Sequence, residues 1–161
     1  MAAPASKVVL KRELMGLLEA DLDARQRAHR AAAEGATHDE AKPENDKDTR
    51  ALEQSYLARG EALRVVELRA ALAEVQAMTI RAFDEGAPVA LGALVKTEEA
   101  GQAAFVWLAP HGGGSLLANG AVQVVTARSP LGRALMGKRA DDECEVVLAG
   151  RTRTVTILSV S

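Results

Sequence analysis

The fold of the second half of the chain is decided by the stretch Ser129-Pro130-Leu131-Gly132-Arg133-Ala134-Leu135-Met136-Gly137-Lys138. Ser129 suits the N-cap of a helix, Pro130 suits the first helical position, and Gly137 suits the residue that ends it. The leucines and alanine between them would lie on one apolar face. The stretch therefore predicts a short helix that packs against a neighbouring layer.

The segments around this helix are typical of strands. The second half gathers Val, Ile and Thr into short runs that Gly and Pro interrupt. A sheet with one helix packed on it is an α+β arrangement, and we expect it to be mostly antiparallel. The predicted strands are Val89–Lys96, Ala103–Leu108, Ala121–Thr126, Glu143–Leu148 and Thr152–Val160.

The first half of the chain has a different composition. Residues 1–80 hold 26 charged side chains and 3 glycines, whereas residues 81–161 hold 16 and 10. Ala, Leu, Glu and Arg dominate the first half, and all four favour helices. Helices are predicted from about Lys7 to Ala33 and from about Asp46 to Ala77. We therefore expect two domains, residues 1–80 and 81–161.

The two predicted helices form a hairpin. Gly35 would end the first helix and Pro43 would lie in the turn before the second, so the connection is short and the helices are antiparallel neighbours. Apolar residues recur at the spacing of three and four that marks a coiled-coil seam. The predicted seam is Leu10, Leu14, Leu17, Ala24, Ala28 and Ala31 in the first helix, and Leu52, Tyr56, Leu63, Val66, Ala70 and Ala73 in the second.

Composition excludes several classes of function. The 161 residues are 48% hydrophobic and 26% charged, with a net charge of −2, so no overall basic field would hold nucleic acid. An aromatic content of 2% leaves too few rings for a stacking platform. Cys144 is the one cysteine, which excludes an internal disulfide. With no apolar run of membrane-spanning length, we expect a cytoplasmic, non-catalytic protein that does not bind a membrane.

Acidic residues concentrate at the end of the predicted hairpin. Residues 37–48 contain Asp39, Glu40, Glu44, Asp46 and Asp48 against two lysines. One interpretation is a solvated turn whose acids lie near a helix N-terminus. The other is that a projecting rod delivers carboxylates to a metal or a basic site elsewhere.

A second charged group lies on the first helix, where Arg25, Arg27 and Arg30 occur close together. Asp21 and Asp23 lie one turn before them. We interpret this group as a solvated, charge-paired helix face.

The layout resembles the bacterial Gre transcript-cleavage factor family (GreA/GreB-like). The most specific part is the stretch from Ser129 to Lys138, followed by Asp141-Asp142-Glu143 and the final Ile157-Leu158-Ser159-Val160. The resemblance implies an FKBP-like second domain without prolyl isomerase activity. It also implies that this domain docks on RNA polymerase at the rim of the secondary channel, while the hairpin enters the channel.

The resemblance further implies a mechanism. Carboxylates at the tip would help the polymerase to hold its second Mg²⁺ and to orient a water, so that it hydrolyses backtracked RNA. The chain would need no cofactor or metal of its own, and it would meet nascent RNA within the polymerase complex. The implied tip carboxylates are Glu44, Glu40 and Asp39, and the implied binding residues are Asn45, Asp46, Ser129, Pro130, Arg133 and Lys138.

The tip departs from the family pattern. Gre factors typically carry Asp-Leu-(Ser or Lys)-Glu-Asn, where this chain has Ala41-Lys42-Pro43-Glu44-Asn45. Glu44 and Asn45 match, but Ala41 occupies the slot of the metal-holding aspartate. Three functions therefore stay open: stimulation of cleavage, inhibition or other modulation of polymerase without cleavage, and a coiled-coil module for a different partner. The short predicted turn favours an intramolecular hairpin and hence a monomer.

Overall fold

Two long helices occupy the N-terminal half of the chain and a six-stranded sheet occupies the C-terminal half. In this computed structural model the described residues are 3–40 and 49–161. Side chains are described for all of these residues except 36–40. The predicted fold class, a helical hairpin followed by a sheet with one packed helix, is confirmed. The elements are α1 Lys7–Glu40, α2 Thr49–Ala77, β1 Leu94–Glu99, β2 Gln102–Leu108, β3 Leu116–Leu117, β4 Val122–Val125, α3 Pro130–Leu135, β5 Glu143–Leu148 and β6 Arg151–Val160.

The two helices are antiparallel. The Arg25 guanidinium lies 3.5 Å from the Glu61 carboxylate, and His29 Nδ1 lies 2.8 Å from the carbonyl oxygen of Ala58, so numbering rises along one helix as it falls along the other. The prediction that Gly35 ends the first helix is wrong, because α1 continues to Glu40. A Cβ at Gly35 would lie 3.3 Å from the side-chain oxygen of Gln54, so the small residue admits that side chain at the interface.

The seam of the hairpin differs from the predicted one. In α1, Leu10 and Leu14 are buried as expected, but the buried face continues through Leu18 and Ala32. The other predicted seam positions in α1, and all six in α2, are exposed: Leu17, Ala24, Ala28, Ala31, Leu52, Tyr56, Leu63, Val66, Ala70 and Ala73. The buried residues of α2 are instead Val65, Leu68, Ala71 and Val75.

The physical reason for the difference is that α2 carries two apolar stripes. One is the predicted stripe, which is exposed, and the other contains the buried Val65, Leu68 and Val75. The second stripe also carries Glu61, the partner of Arg25. Spacing alone does not choose between two stripes with the same period.

The sheet has the strand order β3-β4-β2-β1-β6-β5. Four of its five pairings are antiparallel, as expected, and the fifth, between β2 and β4, is parallel. The sheet is therefore mixed. The last strand in the sequence, β6, lies inside the sheet between β1 and β5.

The predicted strand at Val89–Lys96 begins too early, since β1 begins at Leu94. Val89 instead exchanges backbone hydrogen bonds with residues 137 and 138, at 2.8 and 2.7 Å, and Gly92 then turns the chain with a φ of +89°. β3 was not predicted, because a two-residue strand carries no periodic signal. The predicted bounds of β5 are confirmed, and those of β2, β4 and β6 are right to within one residue at each end.

The core of the sheet domain lies between the strands and α3. Its buried cluster is Val89, Ala93, Val95, Val106, Leu108, Val125, Leu135, Cys144 and Ile157. Trp107 is also fully buried, and its indole N–H donates to the carbonyl of Gly92 at 3.2 Å. Burial raises the pKa of the Cys144 thiol.

By its contacts the chain forms two compact units, Gly16–Ala73 and the combination of Met1–Met15 with Glu74–Ser161. Within the second unit, both helix ends are fastened to the loop between β2 and β4. Leu14 packs over Gly112, the Glu13 carboxylate accepts from the backbone N–H of Ala118 at 2.9 Å, and His111 Nε2 lies 2.9 Å from the Glu74 carboxylate. The division into independently folding domains at residue 80 stays a prediction. No described helix is both long and apolar enough to cross a membrane.

The revised seam gives a stability test. Leu68 is 7% exposed and Leu63 is 64% exposed, although both are leucines of α2. We expect Leu68→Ala to lower the free energy of unfolding by about 2 kcal/mol or more, because it leaves a cavity. Leu63→Ala should change it by less than about 0.5 kcal/mol. Urea unfolding followed by circular dichroism measures both, and a larger loss for Leu63→Ala would contradict the assigned seam.

Candidate functional site

The short helix α3 begins with the predicted cap. Ser129 has an extended backbone, and its hydroxyl oxygen accepts from the backbone N–H of Gly132 at 3.0 Å. The same hydroxyl donates to the carbonyl of Thr126 at 2.8 Å. Pro130 occupies the first turn, as expected. Ser129 is therefore already committed to local hydrogen bonds, which makes its role structural.

The helix lies very close to the end of β4. A Cβ on Gly132 would lie 1.9 Å from the carbonyl oxygen of Thr126, which is far inside any allowed contact. Only a hydrogen atom fits there. This approach places Leu135 in the core, fully buried, with Leu131 packed against the same cluster.

The predicted cations of this region lie at the surface. Arg133 and Lys138 are both exposed, and neither forms an ion pair with a described side chain. The backbone of Lys138 is fixed by its hydrogen bond with Val89. The structure therefore holds these two charges on a well-anchored segment, where both are accessible to a partner.

The acidic pair after the helix has a structural role. The Asp142 carboxylate accepts from the backbone N–H of Arg139 at 2.7 Å. The backbone groups of Asp141 and Asp142 pair with Ile157 at 2.8 and 3.0 Å. These contacts lead the chain into β5, and they commit the Asp142 carboxylate to a local hydrogen bond.

Two shallow grooves flank Leu131 on the face of the sheet. Their volumes are about 200 and 390 Å³, and both are lined by Gln123, Leu131 and Arg153. The smaller groove also reaches Ser129 and Pro130. The larger one includes Glu99, whose carboxylate lies 3.5 Å from Arg153 Nε. The surface beside α3 thus combines an apolar centre with an amide and a charged pair.

Sequence reasoning missed Gln123, Glu99 and Arg153, three of the polar residues that line these grooves. Gln123 lies between buried valines in β4, and a polar residue inside such a run was an available signal. Glu99 and Arg153 lie about fifty residues apart in the chain. They meet because β1 pairs with β6, a pairing that the sequence pattern does not reveal.

The tip residues proposed from the sequence cannot be placed. Ala41, Glu44, Asn45 and Asp46 lie outside the described residues, and Asp39 and Glu40 belong to the last turn of α1, where side chains are not described. Within residues 3–40 and 49–161, no cluster of three His, Cys, Asp or Glu residues could hold a metal ion.

Comparison with known proteins identifies the C-terminal region. Residues 114–161 match the family model described as "Transcription elongation factor, GreA/GreB, C-term". This match contains the capped helix and strands β3 to β6, and it confirms the resemblance drawn from the sequence. No curated protein matches the chain.

Solved structures of low sequence identity also resemble the chain. GreA factor homolog 1 (Gfh1) of Thermus thermophilus is 17% identical, with a TM-score of 0.40, over 91% of this chain and 94% of that one. Thermus aquaticus Gfh1 is 18% identical, with a TM-score of 0.40, over 90% and 92%. A GreA/GreB factor from Nitrosomonas europaea is 19% identical, with a TM-score of 0.38, over 63% and 90%.

The close approach of α3 to β4 can be tested by one substitution. We expect Gly132→Ala to destabilise the protein by about 2 kcal/mol or more, because the added methyl collides with a backbone carbonyl. Gly60→Ala is the matched control: it lies in helix α2, where a Cβ meets nothing within 4 Å. That control should be stabilising by roughly 0.5–1 kcal/mol. Thermal unfolding of both variants measures the difference, and equal stabilities would contradict the geometry.

Proposed function

We propose, from the match of residues 114–161 to the GreA/GreB C-terminal family model, that the chain is a modulator of RNA polymerase. The chain would bind bacterial RNA polymerase through the surface beside α3 and insert the acidic end of its hairpin into the secondary channel. The observation that carries the proposal is the family match over residues 114–161. The matched residues contain α3 and strands β3 to β6.

The surface beside α3 supports a docking role. Arg133 and Lys138 are exposed cations held on a segment whose backbone is fixed. In the same sheet domain, the two grooves around Leu131 offer apolar area together with Gln123 and Arg153. An interface typically needs such an apolar centre with a polar rim. The partner face that fits it carries acidic residues around an apolar contact.

The hairpin supports the second half of the proposal. α1 and α2 are long, paired helices, and acidic residues concentrate in the segment between them. A carboxylate brought to a two-metal site adds negative charge to a weakly held Mg²⁺, which favours attack by water. Glu44 is the residue that we propose for this role, with Asp39 and Glu40 as further carboxylates. The chain would act as a monomer in the cytoplasm, and the hydrolytic chemistry would belong to the polymerase.

The sequence of the tip favours a second candidate outcome. Ala41 occupies the slot where Gre factors carry the metal-holding aspartate, so one ligand of the usual pair is missing. A factor of this kind would enter the channel and slow elongation without promoting cleavage. We propose cleavage stimulation as the first candidate, because Asp39, Glu40, Glu44 and Asp46 keep the tip strongly negative.

The docking surface can be tested on the intact chain. We expect the double substitution Arg133→Ala and Lys138→Ala to weaken binding to core RNA polymerase by about tenfold, because two charge-assisted contacts are lost. Arg59→Ala is the control, since it removes an exposed arginine of α2 in the other compact unit, Gly16–Ala73. Competition with a known Gre factor for polymerase measures the affinities. Wild-type protein that does not bind polymerase would instead favour a coiled-coil module for another partner.

The tip can be tested by transcript cleavage in stalled polymerase complexes. We expect Glu44→Ala to abolish cleavage and leave polymerase binding nearly unchanged, because docking and chemistry reside in different parts of the chain. Ala41→Asp should increase cleavage, since it restores the missing carboxylate ligand. Glu53→Ala, an exposed glutamate of α2, is the control for loss of charge.

The result also separates the two outcomes at the tip. Wild-type protein that slows elongation without cleavage, and gains cleavage with Ala41→Asp, identifies an inhibitor. If neither tip variant changes any transcription readout while binding persists, the tip is a solvated turn and the mechanism is wrong.

A further inference from the structure

An open cleft of about 440 Å³ lies along the hairpin between α1 and α2, within the unit Gly16–Ala73. Its volume falls in the range of small-molecule sites. None of the described residues that line it is acidic. They are Gln26, His29, Arg30, Ala62, Val65, Val66 and Arg69.

Two arginines of this cleft are unpaired. Arg30 and Arg69 form no ion pair with any side chain that the structure describes, and both are exposed. Three other arginines of the hairpin are engaged with carboxylates. These are Arg25 with Asp21 and Glu61, Arg27 with Asp23, and Arg64 with Glu67. Of the three clustered arginines of α1, Arg25, Arg27 and Arg30, only Arg30 lines the cleft.

The antiparallel helices direct the two arginines toward each other. A long side chain on a helix leans toward the N-terminus of that helix. Arg30 in α1 therefore leans toward Gln26, and Arg69 in α2 leans toward Val65. Because Arg25 faces Glu61 and His29 faces Ala58, Gln26 lies at the level of Glu61, about one helical turn from Val65. The two arginine side chains thus lean toward each other along the cleft that both line.

The remaining lining suits the rest of a nucleotide. His29 Nδ1 is bonded to the carbonyl of Ala58, and since a carbonyl only accepts, Nδ1 carries the proton. This leaves Nε2 for a hydroxyl group. The Gln26 amide offers both a donor and an acceptor, and Ala62, Val65 and Val66 form an apolar wall.

We propose that this cleft binds a nucleoside diphosphate or triphosphate, with adjacent phosphates held between Arg30 and Arg69. Guanidinium groups bind phosphate oxygens in bidentate fashion, and two of them in the lining of one cleft can each contact one of two neighbouring phosphates. A single strand of RNA would instead need a row of cations and stacking rings along its path. The proposal is independent of polymerase binding.

The test is isothermal titration calorimetry of the intact chain at low ionic strength with ADP, GDP, adenosine and a short RNA oligonucleotide. We expect saturable binding of ADP and GDP at one site, and much weaker binding of adenosine. Arg30→Gln and Arg69→Gln should each lower the affinity for ADP by about tenfold or more, because a charge-assisted contact is lost.

Matched controls separate a site from a general charge effect. Arg27→Gln and Arg64→Gln remove the same charge from the same two helices, at arginines already paired with carboxylates. They should change the affinity by less than about twofold. Circular dichroism and thermal unfolding confirm that all four variants keep the fold.

Three results would overturn the proposal. One is an equal loss of affinity for ADP in all four variants, which would indicate that the nucleotide responds to the general positive charge of the hairpin. Another is binding of the RNA oligonucleotide without binding of ADP or GDP, which would indicate an extended strand. The third is equal binding of adenosine and ADP, or no saturable nucleotide binding at all.

Discussion

The approach of Gly132 to the carbonyl of Thr126 is the contact on which the C-terminal region depends. It brings α3 so close to the end of β4 that a hydrogen atom alone fits between them. Ser129 then serves both elements, since its hydroxyl donates to Thr126 and accepts from Gly132. With the helix held there, Leu135 fills the core and Leu131 separates the two surface grooves. The same contact thus fixes the core and shapes the candidate docking surface.

Local chemistry made this region predictable from sequence. A serine cap, a proline in the first turn and a closing glycine each act over a few residues, and neighbours along the chain suffice to specify them. The bounds of β5 followed in the same way from a run of strand-forming residues. Val89 shows the limit of such reasoning. It has strand propensity, but its backbone partners are residues 137 and 138, nearly fifty positions away.

The hairpin seam was harder to predict for a different reason. In α2 the stripe with Leu63 and Val66 is exposed, and the stripe with Val65, Leu68 and Val75 is buried. Close helix approach and the Arg25–Glu61 pair act across two helices, so periodicity within one helix does not contain them. The grooves beside α3 were not predicted for the same reason, because they also depend on contacts between different elements. Glu99 and Arg153 become neighbours through strand pairing, which depends on the topology of the whole sheet.

The separation of docking surface and tip has a consequence for how such a factor changes its effect. The α3 surface depends on buried contacts in which a single methyl group is decisive, so its sequence is tightly constrained. The described contacts between α1 and α2, such as Arg25 with Glu61 and His29 with Ala58, lie outside positions 39–48. In the proposed function, substitution at Ala41 would therefore alter the chemistry delivered to the polymerase while the docking surface keeps its residues. A few carboxylates of the tip would then set the sign of the effect on transcription, and the sheet domain would set the choice of partner.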